Sequence, residues 1–439
     1  MSQQIPVFPL ETPAMRQVEI VPVRMRDREM LMVRDPLGLI EGAALLVPDP
    51  ILLIFMQMAD GKTTTGEMAQ KATLMSGQII PAGILDSVAK QLDEALLLQS
   101  ATFAAALEKR FEDFRLSPTR PSKMFKAEGM DRLKMLKELG EEFRRHKMSA
   151  ISPPAQMDLA KGSVRGVLSP HIDYMRGGEV YAWAYKALTE YGTNADTFII
   201  LGTSHRGASS RYVATRKGYE TPFGVVETET AIVDQLEQEM GVPICDEEFL
   251  HADEHTIELQ VIYLKQVMGD RPFKIVPILV TPFDDMLEVQ GAPRKVDPDV
   301  EKFITALRNV MEKYGDRAAI IGGVDLSHCG PEFGDEQMND EARQKAVETG
   351  DKAALAALEK DGAEAFFESY RSHYNETKVC SLGTIYTVSE VLKGTAAPKL
   401  LTYQQSNTPD RETMVTFAAF AYVKAGMEAA PKSRIILLK

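Results

Sequence analysis

The sequence predicts an α/β protein built on a mostly parallel sheet flanked by helices, preceded by a smaller helical unit. Three observations lead there. From about Val164 onward, β-rich apolar runs alternate with helical patterns. Strands separated by helices imply parallel pairing, with both faces of the sheet covered. Three of the strand-like runs end in a histidine, which puts those side chains where open α/β sheets bind ligands, beyond the carboxyl ends of the strands.

Taken in order, residues 1–25 read as an extended segment, with prolines at 6, 9, 13 and 22. Residues 26–115 read as a compact helical domain. Pro50 suits a first helical position, and Ile51, Leu52, Ile54 and Phe55 supply an apolar face. Asp60-Gly61 marks a turn, 63–72 a second helix, and Pro81 opens a third on which Ile84, Leu85, Val88, Leu92 and Leu96 recur at three and four residues. Residues 116–160 read as a linker carrying one helix over 129–145. The α/β domain runs over 161–427, and 428–439 form a tail. Within 161–427, strands are expected at 164–169, 197–203, 273–280, 318–326, 400–403 and 414–422. Helices are expected at 178–191, 230–240, 253–268, 298–314, 340–359 and 381–393.

The bulk numbers agree. A chain of 439 residues is too long for one ordinary domain. A hydrophobic content of 44% with 26% charged residues fits a soluble globular protein. The net charge of -13 argues against a nonspecific grip on nucleic acid. Three cysteines, Cys245, Cys329 and Cys380, are too few and too odd for a disulfide framework and point to a reducing compartment. The N-terminus lacks a signal-peptide pattern, and the best apolar run, Ile51 to Met58, is too short to span a bilayer. A cytoplasmic protein without membrane or nucleic-acid partners is the expectation.

The histidines that close strands are His171 in Leu168-Ser169-Pro170-His171, His205 in Gly202-Thr203-Ser204-His205 and His328 in Asp325-Leu326-Ser327-His328. The chain has only seven histidines. One such residue alone is more often a satisfied polar group, but three at matching positions point to a site. Neutral imidazoles suit Fe, Zn, Cu and Ni. Two leave a first-row ion undercoordinated, and Cys380, at the start of the 381–393 helix, is the candidate anion, because backbone N–H groups there favour a thiolate. The competing reading of a free cysteine is a small buried hydrophobe, and Cys245 and Cys329 take that reading. In Asp253-Glu254-His255, Asp253 reads as a helix N-cap, with His255 in the first turn facing either the mouth of the sheet or nothing but the cap.

Two resemblances refine this. "LLVPDPILLIFMQMADGKTTTGEMAQ" followed by "VAKQLDEALLL" resembles a small winged-helix unit, and more specifically the PqqD-like fold, a peptide-binding module of maturation pathways. The local balance of nine Lys/Arg against thirteen Asp/Glu over 26–115 favours a protein-binding or structural role over DNA. "LSPHIDY", "FIILGTSH", "YETPFG", "DEHTIELQ", "VPILV", "VDLSHCG", "VCSLGTI" and "YQQS" fall in the order found in the Memo family, across roughly 161–425. Memo proteins are similar in fold to class III extradiol ring-cleaving dioxygenases, and bacterial members are often called component B of the AmmeMemoRadiSam system. The resemblance implies His171, His205 and Cys380 as ligands of a non-haem metal, Fe(II) first and Cu second. It places His328 as the base. The sequence itself suggests Asp325, three residues earlier, as the group that orients it, and His255 as a donor to oxygen at the metal. Asp173 departs from the small residue usual there, and contact with a ligand or with substrate are both open to it.

The function expected is an iron-dependent oxidoreductase of dioxygenase type on a small or peptidyl substrate. The alternative is a non-catalytic metal-binding or peptide-binding adaptor. Zinc hydrolysis fits less well, because no carboxylate base stands beside the ligands in the sequence pattern. Radical-SAM and Amme-type proteins are the partners that the family context implies.

Overall fold

The computed structural model describes residues 6–25, 28–35, 37–40, 44–125, 132–146, 156–335, 339–408 and 413–427. The tail expected over 428–439 lies outside them. The chain divides into two compact units, Met1–Ser117 and Pro118–Lys439.

The N-terminal unit opens with strands β1 (Glu19–Met25), β2 (Arg28–Arg34) and β3 (Ala44–Leu46), joined antiparallel in the order β1-β2-β3. Helices α1 (Pro50–Met58), α2 (Thr65–Ser76), α3 (Ala82–Glu94) and α4 (Ala101–Leu116) follow. Asp49 accepts hydrogen bonds from the Ile51 and Leu52 amides and so caps α1, with Pro50 in the first position. Thr64 and Glu67 close a reciprocal capping box on α2, and Gly77 ends it at φ 68°. Phe55, Met68, Leu85 and Leu92 from three helices pack with Val33 of β2 into one core. The N-terminal segment expected to be merely extended thus supplies a strand of the sheet. Its valine-and-proline pattern carries no period long enough to announce a hairpin.

The C-terminal unit begins with β4 (Thr119–Arg120) and α5 (Arg132–His146). There follow β5 (Val164–Ser169), α6 (Tyr174–Glu190), β6 (Thr197–Thr203), β7 (Tyr212–Ala214), β8 (Gly218–Thr221), β9 (Gly224–Val226), α7 (Thr230–Met240), α8 (Thr256–Met268) and β10 (Lys274–Val280). Then come α9 (Pro293–Val296), α10 (Pro298–Tyr314), β11 (Ala318–Gly323), β12 (His328–Cys329), α11 (Glu341–Asp361), α12 (Ala363–Arg371), α13 (Leu382–Leu392), β13 (Ala396–Thr408) and β14 (Thr413–Lys424). The main sheet is eight-stranded and mixed, in the order β12-β14-β5-β11-β6-β10-β7, with β13 paired to β14. Its centre, β5-β11-β6-β10, is parallel, and β14, β12, β13 and β7 join antiparallel around it.

All seven residues of β6 are buried, as a strand covered on both faces requires. Ile199 and Leu201 face one core with α7, α10 and α13, whereas Phe198 and Ile200 face the other with α6 and α8. The parallel strands therefore end together at one rim of the sheet. His171 and His205 follow β5 and β6 there, and Asp325 follows β11.

The boundary expected at residue 161 lies earlier. Residues 116–160 contain the expected helix as α5, but Thr119–Arg120 is a strand that pairs parallel with β8. Arg120 is wholly buried and ion-paired with Glu258 of α8. It also donates to the carbonyls of His251 and Glu254, each at 2.9 Å. The other Glu258 oxygen accepts from Ser122 Oγ and from the Lys123 and Met124 amides. The beginning of this stretch is thus a buried anchor. Its partner lies 138 residues downstream, too distant for any local pattern to reveal.

Arg120→Leu leaves Glu258 charged and unmatched in the interior, so a stability loss of about 3–5 kcal/mol is expected by denaturant titration. The double variant with Glu258→Leu should recover much of it, and a double variant as unstable as the single would contradict the pairing. The neighbouring His251 is fully buried, accepting from Tyr219 Oη and donating to the Val213 carbonyl. Burial pushes its pKa down to about 3. A depressed folded-state value means that this contribution is complete above pH 6.5 and fades as pH falls toward 3. Between pH 7 and 5 the loss is about 2 kcal/mol, and His251→Gln should flatten that part of the profile relative to the wild type.

Candidate metal centre

Pro170 carries the chain off β5, and His171 turns inward, 2% exposed. Its Nδ1 stands 3.0 Å from the Gly323 carbonyl at the end of β11. A carbonyl can only accept, so Nδ1 carries the proton and Nε2 presents a lone pair. That Nε2 lies 3.4 Å from Cys380 Sγ. Burial, then the neighbouring His205 and His255, hold His171 well below the ordinary histidine pKa, so the ring is neutral.

His205 follows β6 by two residues. Its amide donates to Glu254 Oε2 at 2.9 Å, and its Nδ1 is 3.2 Å from both Glu254 oxygens. Its other edge meets Cys380. Partial burial works against a charge on this ring, but Cys380 and the Glu254 carboxylate outweigh it and raise the pKa well above the usual value. Glu254 is itself buried, which favours the acid form, yet bonds from His205 and His255 hold its pKa well below the ordinary range.

Cys380 precedes α13, whose N-cap is Ser381. Ser381 Oγ accepts from Thr203 Oγ1 at 2.9 Å and from the Asp325 amide at 3.0 Å, which ties the ends of β6 and β11 to the start of α13. The loop before Cys380 places Tyr374, Asn375 and Lys378 at φ 51°, 51° and 54°. Non-glycine residues adopt that region at a cost and persist in it only where the surroundings dictate it. Asn375 does so here. Its Oδ1 accepts from the Val379 amide at 2.8 Å and its Nδ2 donates to the Val379 carbonyl at 3.0 Å, gripping the residue before the cysteine from both sides.

The donor atoms of His171, His205 and Cys380 all lie within 4.8 Å of one another. Two nitrogens and a sulfur, with each ring's far nitrogen already bonded to an acceptor, are the donor set a soft-to-borderline first-row ion takes. The residues present therefore fit a metal.

The remaining predicted residues divide. His255 is drawn in: its ring stacks on His205 at 5.1 Å and 12°, meets His171 edge-on at 5.7 Å, and its Nδ1 is 3.1 Å from Glu254. His205, Glu254 and His255 form a second group of close donor atoms. His328 stands outside the three-donor group. Its Nδ1 donates to the Leu326 carbonyl at 2.9 Å, Phe333 packs edge-on against it at 4.9 Å, and its amide donates to the Thr377 carbonyl. Burial brings its pKa down to about 4, so near neutral pH it is uncharged with Nε2 able to accept.

Asp325 does not orient His328. Its Oδ1 accepts from the His171 amide and its Oδ2 is 3.6 Å from His171 Nε2, because the chain turns back over β5 immediately after β11. Burial raises its pKa to about 6. Asp253 is not the cap of α8 either. That position is His255, and Glu254 Oε1 accepts from the His255 and Thr256 amides, while Asp253 pairs with Arg206 and Lys123. Asp173 caps α6 and binds Arg176 at 2.6 Å. Glu254 and Asn375 are the supporting residues that sequence reasoning did not single out. The acid next to His255 was a faint signal for the first, and there was none for the second.

Comparison with known proteins places this arrangement. The family model described as Memo-like protein matches residues 135–421, and the chain belongs to that family. A MEMO1 family protein of Aquifex aeolicus is 24% identical over 397 residues, covering 90% of this chain and 96% of the relative. At that coverage the similarity necessarily extends into the N-terminal unit. A MEMO1 family protein of Methanosarcina mazei is 28% identical over 268 residues, 60% of this chain and 87% of the relative.

Because Glu254 fixes the tautomer and direction of His205, Glu254→Gln should weaken cobalt(II) binding by about 10–100-fold, followed by the sulfur-to-metal absorption band. Unchanged affinity would show that His205 is oriented without it.

Proposed function

We propose that the protein holds a redox-active first-row metal, Fe(II) in the first place and Cu in the second, through His171, His205 and Cys380. On this reading it acts as an oxidoreductase of dioxygenase type on a small or peptidyl substrate. The observation that carries the proposal is the convergence of these three donors, from three distant parts of the chain, at the rim of the sheet. A bound iron would supply the electron-transfer chemistry that the side chains lack.

The chain's own residues do the rest. Glu254 fixes His205, and the Gly323 carbonyl fixes His171. His328, neutral because it is buried, accepts a proton at Nε2 from a substrate hydroxyl. His255, more than half exposed beside His205 and with its Nδ1–H given to Glu254, leaves Nε2 to accept a hydrogen bond from a substrate. A second reading, a metal-binding or peptide-binding adaptor, draws on the N-terminal unit, where Leu74 and Ile79 are 84% and 88% exposed.

The test is anaerobic loading with Fe(II) followed by oxygen uptake in the presence of catechols and of peptides. His171→Ala, His205→Ala and Cys380→Ala should each lower metal occupancy. His328→Ala should keep the metal and lower turnover by about 10²–10⁴-fold. Loss of metal from the His328 variant would make that residue a ligand and not a base. A fully loaded wild-type protein with no uptake would favour the adaptor.

A further inference from the structure

The cavity with the best-defined chemistry outside the metal centre lies behind the loop that carries His328. It encloses about 130 Å³ between α11, α12 and the loop leading to Cys380, with Arg343, Gly350, Asp351, Tyr370, His373 and Thr377 among its walls. Two features mark it as more than a packing gap, and a third ties it to the loop that carries His328.

The first is Arg343. Its side chain is only 21% exposed, yet its one ion pair among the described residues is a 3.9 Å approach to Glu376, beyond hydrogen-bond reach. The nearby Asp335 is taken by Lys378 and by the Gly330 amide. The stem is largely covered while the guanidinium nitrogens stay open to solvent, and such a group is able to take an anion. The second is Gly350. It sits in the middle of α11, where glycine is worse than alanine by about 1 kcal/mol. A Cβ built there would meet nothing within 4 Å, so packing does not demand the glycine. What it does is leave the wall of the cavity open. The third is Asp351. The carboxylate is 2% exposed and accepts from Ser327, Tyr370, Tyr403 and Thr416, which fills its lone pairs and leaves it nothing to offer a ligand. Its work is to hold Ser327, the residue before His328.

Recognition in the cavity therefore falls to Arg343, with His373 also at its wall, and to the apolar surface of Val347, Ala354 and the Tyr370 ring. We propose that this cavity is a binding site for a small organic carboxylate, with the carboxylate on Arg343 and the apolar body against Tyr370. The site is linked to the metal centre through one residue. Thr377 lines the cavity, its hydroxyl donates to Ser327 Oγ at 2.8 Å because the Ser327 proton is given to Asp351, and its carbonyl accepts from the His328 amide at 2.7 Å. An occupant that shifts Thr377 shifts His328. The binding claim stands apart from the function proposed above; only its consequence for turnover would rest on that reading.

Benzoate is the probe and benzamide its neutral control, titrated calorimetrically into the full chain. Saturable binding of benzoate, at least tenfold tighter than benzamide, is expected. Arg343→Gln should weaken it at least tenfold by removing the cation. Gly350→Leu should weaken it as much by filling the space, and because leucine favours the helix and its Cβ would meet nothing within 4 Å, the variant should fold, which circular dichroism checks. In the wild type alone, benzoate should move the His328 ring resonances. The absence of saturable binding, equal affinity for benzamide, or benzoate affinity unchanged in both variants would each overturn the site. Binding without movement of the His328 resonances would overturn the link.

Discussion

The centre depends on one buried carboxylate. Glu254 receives the backbone amides of His205, His255 and Thr256 and lies against Nδ1 of both histidines. Taking an ion out of water carries a penalty of several kcal/mol, which only a full set of good donors offsets. Charge-assisted bonds of about 1.5–3 kcal/mol each are the right scale to do so. Because the donors are fixed backbone and ring N–H groups, the carboxylate is ionised and His205 can take only one orientation. The segment is fastened from the other side as well. Arg120 holds the carbonyls of His251 and Glu254 and neutralises Glu258 one turn further on. Two charges of opposite sign thus grip residues 251–258 from both ends.

Close approach is the second condition. α8 can bring Glu254 and His255 to His205 only because Gly202 and Gly323 have no side chains. A Cβ on Gly202 would lie 2.5 Å from Ile257, and one on Gly323 would lie 2.9 Å from the Thr256 carbonyl. On the other face a Cβ at Gly322 would press on Leu168 and Val388 of α13. The glycines that end β6 and β11 are therefore set by helix packing, and the cluster of imidazoles follows from that packing.

What was legible in the sequence was what has a period or a fixed offset. The strands at 164–169 and 197–203 and the helices at 230–240 and 298–314 match their expected limits because an apolar stripe is a local property. His171, His205 and Cys380 could be picked out because two close a strand and one opens a helix. What was not legible depends on partners far along the chain. Arg120 stood in an apparent linker, Asn375 looked like one more polar loop residue, and Asp325 was assigned to His328, its neighbour in sequence, when its carboxylate meets His171, 154 positions away. Asp253 was a sound N-cap by residue type, but the chain enters α8 two residues later than the spacing suggests, with His255 in the N-cap position and Glu254 accepting from the first amides.

The same side chain acquires three characters from its surroundings. His171 is enclosed with no carboxylate on its protonated nitrogen, only a peptide carbonyl, so burial decides and the ring is neutral. His205 faces Glu254 on one edge and Cys380 on the other, and two anionic or polarisable neighbours outweigh the same penalty. His328 is shielded by Phe333 and bonded to a carbonyl like His171, and it too is neutral, but its free nitrogen lies outside the three-donor group. Burial alone would have made all three alike. The difference is the cysteine and the carboxylate that flank His205, and they separate that ring from His328, whose free nitrogen can accept a proton from elsewhere.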